Sequence, residues 1–149
     1  MEKFIGVKMV EAAPMLSLVP MGEHEKGSDG YRVRYSNNYE SWCPKDVFEG
    51  NNLKIRGVNN TIHESDVLDM VAHTEANTLD SGFNETKTTI VIVTLRNGFT
   101  LTETSSCVDP KNYDEEVGKQ ICLRKIHDKI WFLLGFLLQS GVDGFNKIK

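Results

Sequence analysis

The strongest constraint on this chain is local. Thr86 to Leu95, TKTTIVIVTL, is dense in β-branched residues, Arg96-Asn97-Gly98 supplies the strongest short hairpin signal, and Phe99 to Ser105 alternates Phe99, Leu101 and Glu103 with threonines. This predicts an antiparallel hairpin. Asp109 then stands before Pro110, which suits a helix start: Asp can cap, Pro costs nothing at the first helical position, and Asp114, Glu115 and Glu116 favour the positive end. The helix is predicted to run to about Gln139. Cys122, Ile126, Ile130, Leu133 and Leu137 form its expected inner stripe, but Trp131, Phe132, Leu134, Phe136 and Leu138 make the last third apolar on every side. Such a helix needs a central place in a core or a partner chain. In so small a protein the expectation is a homo-oligomer, with those last five residues at the interface.

Upstream, Thr61-Ile-His-Glu64 has the spacing of a capping box, and Val67, Met70, Val71 and Thr74 recur at helical spacing. A helix is predicted through about Leu79, stopped by Asp80-Ser81-Gly82. Near the start of the chain Ile5, Val7 and Met9 alternate with Gly6 and Lys8 between Phe4 and Val10, the period of a half-buried strand. Pro14 and Pro20 end regular pairing, and the residues up to Gly30 read as a surface loop with its tip near Glu23 to Gly27. Tyr31, Val33 and Tyr35 alternate with Arg32 and Arg34, Ser36-Asn37-Asn38 tolerate positive φ, and Tyr39 to Trp42 returns as a second predicted hairpin. Pro44 opens a short helical turn, Lys45 to Glu49. Gly and Asn bracket Leu53 to Arg56, a connection with room for one edge strand. The expected fold class is α+β: a small N-terminal antiparallel β module over 1–49, a linker over 50–60, and a helix, β-hairpin and long C-terminal helix over 61–149.

The chain has 149 residues, with 17 Lys and Arg against 21 Asp and Glu, a formal net charge of -4 and no basic run. That balance argues against DNA or other nonspecific nucleic-acid binding. The longest apolar stretch, Ile130 to Leu138, has about half of the ~20 residues that a bilayer span requires, so no membrane anchor is expected. MEKFIGVKMVEAAPM carries too many charges for the core of a signal peptide. Cys43, Cys107 and Cys122 are odd in number and lack a C-x-x-C pair, which fits reduced thiols in a cytoplasm.

None of His24, His63, His73 and His127 has a histidine partner at i, i+4, and H-E-S-D at His63 lacks the second histidine of a zinc hydrolase. Gly22-Glu-His-Glu-Lys-Gly27-Ser lacks the Lys that follows the second Gly of a phosphate loop. Cys107 beside acidic residues gets no help in ionising. With no catalytic constellation, metal set or cofactor motif in view, a non-enzymatic role is expected. Two features suit an anionic ligand. Arg32 and Arg34 share a strand face opposite the tyrosines; with Lys45 they would hold phosphate, while Trp42 or Tyr39 stacks on a base. The bland alternative is a solvated sheet face with paired charges. Secondly, the hydroxyls of Thr104, Ser105 and Ser106 and the backbone N–H groups up to Asn112 gather at a positive helix end. There Asp109, Asp114, Glu115 and Glu116 repel a bare phosphate, which favours plain capping.

Three stretches are long and specific: T-L-x-N-G-F at Thr94 to Phe99, S-x-C-V-D-P-x-N-Y-D-E-E-x-G at Ser105 to Gly118, and K-I-W-x-L-x-G-x-L-L at Lys129 to Leu138. With the preceding helix, residues 61–140 resemble the gene product 49 / gene 66 family of small tailed-phage proteins. Phe132 departs from that pattern, which is more often acidic there. K-x-I-G-x-K-x-V-x-A-x-P-M at Lys3 to Met15, and G-Y-x-V-x-Y to Y-E-S-W-x-P-K-D-V-F at Gly30 to Phe48, resemble a separate module attached to many phage and prophage accessory proteins. Cys43 there replaces an expected Ser. The resemblance implies a phage accessory protein working in the bacterial host's cytoplasm, and its N-terminal module points toward action against host defence; it carries over no catalytic residue. The leading expectation is an oligomer that sequesters a nucleotide-derived immune signal, such as a cyclic nucleotide or ADP-ribose derivative. A second is a protein-binding inhibitor of a host defence or replication factor, engaged through the acidic surface. A third is an enzyme that degrades such a signal.

Overall fold

The computed structural model describes residues 1–83 and 85–148. The elements are β1 (Glu11–Pro14), β2 (Gly30–Arg34), β3 (Glu40–Pro44), α1 (Lys45–Asn51), α2 (Glu64–Asp69), β4 (Val71–Asp80), β5 (Lys87–Leu95), β6 (Thr100–Ser106), a 3-10 turn (Pro110–Asn112) and α3 (Glu115–Asp143). The expected α+β class is what forms: two three-stranded antiparallel sheets, ordered β1-β2-β3 and β4-β5-β6, and a long C-terminal helix. The chain divides into two units, Met1–Lys54 together with the residues from Leu137 onward, and Ile55–Phe136.

In the first unit the predicted hairpin is β2 and β3, paired from Gly30↔Pro44 to Arg34↔Glu40. Asn38 takes the left-handed conformation at the turn, φ 63°, which an Asn side chain tolerates. The predicted strand at Phe4 to Val10 does not form. Pairing starts at Glu11, opposite Arg34, and the preceding segment meets the end of α3 instead: Met9 N–H donates to the Gly141 carbonyl at 3.1 Å. The alternating Val7 and Met9 are half-buried beside Gly141 rather than in a sheet. Nor does a strand form at Leu53 to Arg56. The loop after β1 is held by Ser17, whose buried hydroxyl donates to the Glu25 carbonyl at 2.7 Å and accepts from Ser28 N–H at 3.1 Å. Val33, 2 % exposed, is the buried apolar residue of β2, and Tyr31 stacks on Phe48 of α1 with ring centroids 4.5 Å apart.

In the second unit β5 and β6 are the predicted hairpin, closed by Gly98 at φ 85° and by Leu95 N–H donating to the Phe99 carbonyl. Thr89, Val91, Val93 and Leu95 point inward from β5 at the strand period of two. From α3, Gly118, Cys122, Ile126, Ile130 and Leu134 are buried, a row at i, i+4. Such a row runs obliquely to the helix axis. Leu133 and Leu137, expected on the inner stripe, therefore lie 36 % and 41 % exposed, and Leu134 is buried in their place.

The predicted helix from Thr61 to Leu79 is the largest departure. Only α2 is helical, opened by Asp66, whose carboxylate accepts from His63 N–H at 2.9 Å, rather than by Thr61 and Glu64. From Val71 the chain extends as β4, paired with β5 from Val71↔Leu95 to Asp80↔Lys87, with an irregularity between Val71 and His73. Val71, Thr74 and Thr78 are β-branched, and a ladder along all of β5 outweighs a weak helical spacing. The long helix also starts later than predicted. Asp109 caps only the 3-10 turn, accepting from Lys111 N–H at 2.9 Å, and Tyr113 is extended. The Tyr113 hydroxyl lies 2.7 Å from Thr78 Oγ1 and 2.8 Å from Thr89 Oγ1. Asp114 then opens α3 by accepting from Val117 N–H, and the helix continues past the expected Gln139 to Asp143.

Candidate functional site

Pairing of β2 with β3 places Arg32 directly opposite Trp42, and Arg34 opposite Glu40. The two arginines differ in their surroundings. The Arg34 guanidinium donates to the carboxylate of Glu11 on β1, and that hydrogen bond is the main reason the Arg34 pKa is raised. Among the described residues Arg32 makes no ion pair, and it is exposed. Trp42 is half-buried, and its indole N–H donates to the Met15 carbonyl at 2.9 Å. Its ring meets His24 edge-on, with centroids 5.9 Å apart. Tyr39 is 62 % exposed but sits beside Tyr35, and Lys45 is exposed at the start of α1. What this surface offers an anion is one unpaired guanidinium beside a tryptophan.

The corner after β6 is split. Thr104 and Ser106 are exposed and Ser105 half-buried along β6; the Ser106 and Thr88 hydroxyls bond at 2.7 Å, and the Thr104 carbonyl accepts from Lys125 Nζ. Asn112 lies in the 3-10 turn, its N–H donating to the Asp109 carbonyl. The hydroxyls and the start of α3 are thus separated by the 3-10 turn and by the extended Tyr113, and the Asp114 carboxylate already accepts from Val117 N–H at the start of α3. Burial pushes the thiols of Cys43 and Cys122 up, away from the thiolate form. Among the described residues no cluster of His, Cys, Asp or Glu is placed to hold a metal, and no helix is long and apolar enough to cross a membrane.

The expected interface residues fall into different environments. Phe132 is 76 % exposed, Phe136 64 % and Trp131 39 %, whereas Leu138 is half-buried and Leu134, at 3 %, is a core residue. On the other flank of α3, Glu103 of β6 is held by Lys129 and by Lys125 at 3.9 Å. The Lys129 hydrogen bond is the main influence keeping the Glu103 carboxyl below its usual range.

A groove of about 890 Å³ runs between β4 and α3 in the second unit. Leu68, Val71, Ala76 and Leu123 line it, with Glu116 and His127 at the rim. Of its lining, the sequence marks Val71 and Thr74 as apolar-face positions but assigns them to a helix. The groove exists only because these residues form β4 rather than the predicted helix.

No curated protein and no solved structure matches the chain. A family model does, over residues 55–142, which takes in α2, the second sheet and nearly all of α3. By that match the chain belongs to the phage protein (N4 Gp49/phage Sf6 gene 66) family.

Proposed function

We propose that this phage protein is a non-enzymatic binding protein that works through protein contact, self-associating by the exposed aromatic part of α3 and inhibiting a host defence or replication factor. The observation that carries the reading is Phe132, three-quarters exposed beside Trp131 on a helix whose opposite row is fully buried. Large aromatic side chains are costly to leave in water and are favoured anchors of interfaces. The net charge of -4 suits a basic partner surface. Light scattering at high micromolar concentration tests self-association: the wild type is expected above the 16.8 kDa of one chain, with Phe132→Glu smaller and still folded. A wild type that stays monomeric would remove the reading's foundation.

A second reading is sequestration of a nucleotide-derived immune signal in the oligomer. Arg32 favours it, as an exposed guanidinium in register with Trp42. The neutralised Arg34 counts against it, because a phosphate then meets one fork rather than two.

A further inference from the structure

We infer that β4 is a self-pairing edge, through which two copies of the second unit join antiparallel into one six-stranded sheet. β4 is the outer strand of the order β4-β5-β6 and the longest of the three, and among the described residues its backbone pairs only with β5. Its sequence, VAHTEANTLD, contains neither Pro nor Lys; what guards the edge is the irregularity between Val71 and His73 at one end, Asp80 at the other and Glu75 between them, which leaves the backbone from His73 to Leu79 regular.

The groove gives the edge a second layer. α3 leaves Val71 and Ala76 of β4 only half-covered, with Leu68 and Leu123 beside them. A two-fold axis normal to the sheet reverses the strand but keeps each side chain on its own face. The helices of both copies then lie on one side, and the two grooves meet under the seam.

Charge selects the register. An axis through Glu75 sets two carboxylates opposite each other, which is unfavourable. An axis through Ala76 overlaps His73 to Leu79, the regular part of the strand, placing Glu75 opposite Asn77 and His73 opposite Leu79, with no like charges facing. Such a seam is about 23 Å long and about 20 Å deep through sheet and helix, roughly 460 Å² per partner. A stable interface buries about 800 Å² per partner, so this seam falls in the size class of weak, transient contacts.

This contact is separate from the one at Phe132, and the two are read separately by sedimentation equilibrium. Phe132→Glu protein is expected to remain dimeric at tens of micromolar. Adding Glu75→Lys and Asn77→Lys, two exposed positions that face one another across the seam, should weaken that dimer at least ten-fold while near-ultraviolet circular dichroism stays unchanged. Hydrogen exchange supplies a reading without β4 substitutions: alternate β4 amides should slow as protein concentration rises. A Phe132→Glu protein that is monomeric throughout, or β4 amides indifferent to concentration, overturns the inference. The first result would also be that of an edge reserved for a strand from another protein.

Discussion

A Cβ placed on Gly118 would overlap Thr89 Oγ1 and come within 2.9 Å of Thr89 Cβ, so α3 approaches β5 at a point where the helix has no side chain. Gly118→Ala adds helix propensity worth up to about 1 kcal/mol but forces the two layers apart. Overpacking a close contact costs about 1–3 kcal/mol, so a net loss of stability is expected in urea denaturation. A gain would show that α3 can shift freely on the sheet.

Leu134 and Phe132 lie two residues apart and should respond oppositely. Leu134→Ala removes buried apolar volume and should cost about 2–5 kcal/mol in denaturant unfolding of the dilute protein. Phe132→Ala should change that value by less than about 1 kcal/mol, because a largely exposed ring loses little burial. Equal losses would mean that Phe132 is covered within its own chain.

Asp66 ties together the entry to α2 and should make the second unit sensitive to acid. Burial opposes its ionisation, but N–H groups of His63 at 2.9 Å and Arg56 at 3.5 Å, and the Arg56 guanidinium at 3.0 Å, outweigh burial and hold its pKa below the usual value. A carboxylate depressed by folding stabilises fully above its unfolded pKa of about 3.9, and that contribution disappears as pH falls through the lower folded value. Asp66→Asn should cost about 1–3 kcal/mol at neutral pH, the range for a buried hydrogen-bonded group losing its match. Its stability should also fall less steeply than wild type below pH 4, as followed by unfolding at a series of pH values.

Arg32 and Arg34 separate the two functional readings. Titration calorimetry against cyclic di- and trinucleotides and cyclic ADP-ribose isomers should show Arg32→Ala binding at least about ten-fold more weakly if a phosphate sits beside Trp42, since a charge-assisted hydrogen bond contributes about 1.5–3 kcal/mol. Arg34→Ala should bind nearly as wild type, its guanidinium being already committed to Glu11. No binding by wild type to any of the panel would leave protein contact as the better account.

What could be read in advance was local chemistry. Asn97-Gly98 specified the β5–β6 turn, and the β-branched run of β5 specified its strand, with no knowledge of the rest of the chain. β4 was missed because its conformation depends on β5, a partner that helical periodicity does not register. The same limit applied to Arg34, whose partner Glu11 lies 23 positions away and emerges only when β1 pairs with β2. Leu134 was assigned outward because an apolar run on every side of a helix does not say which row the sheet covers. The oblique crossing of α3 decides that.

The chain has two tryptophans, and each unit contains one: Trp42, whose indole is tethered to Met15, and Trp131, on α3 beside Phe132. Intrinsic fluorescence is therefore a two-channel signal. With Trp131→Phe the emission reports the loop and sheet of the first unit alone, and with Trp42→Phe it reports the helix of the second, so spectroscopy without any added label can tell which half of the molecule melts first or meets a partner.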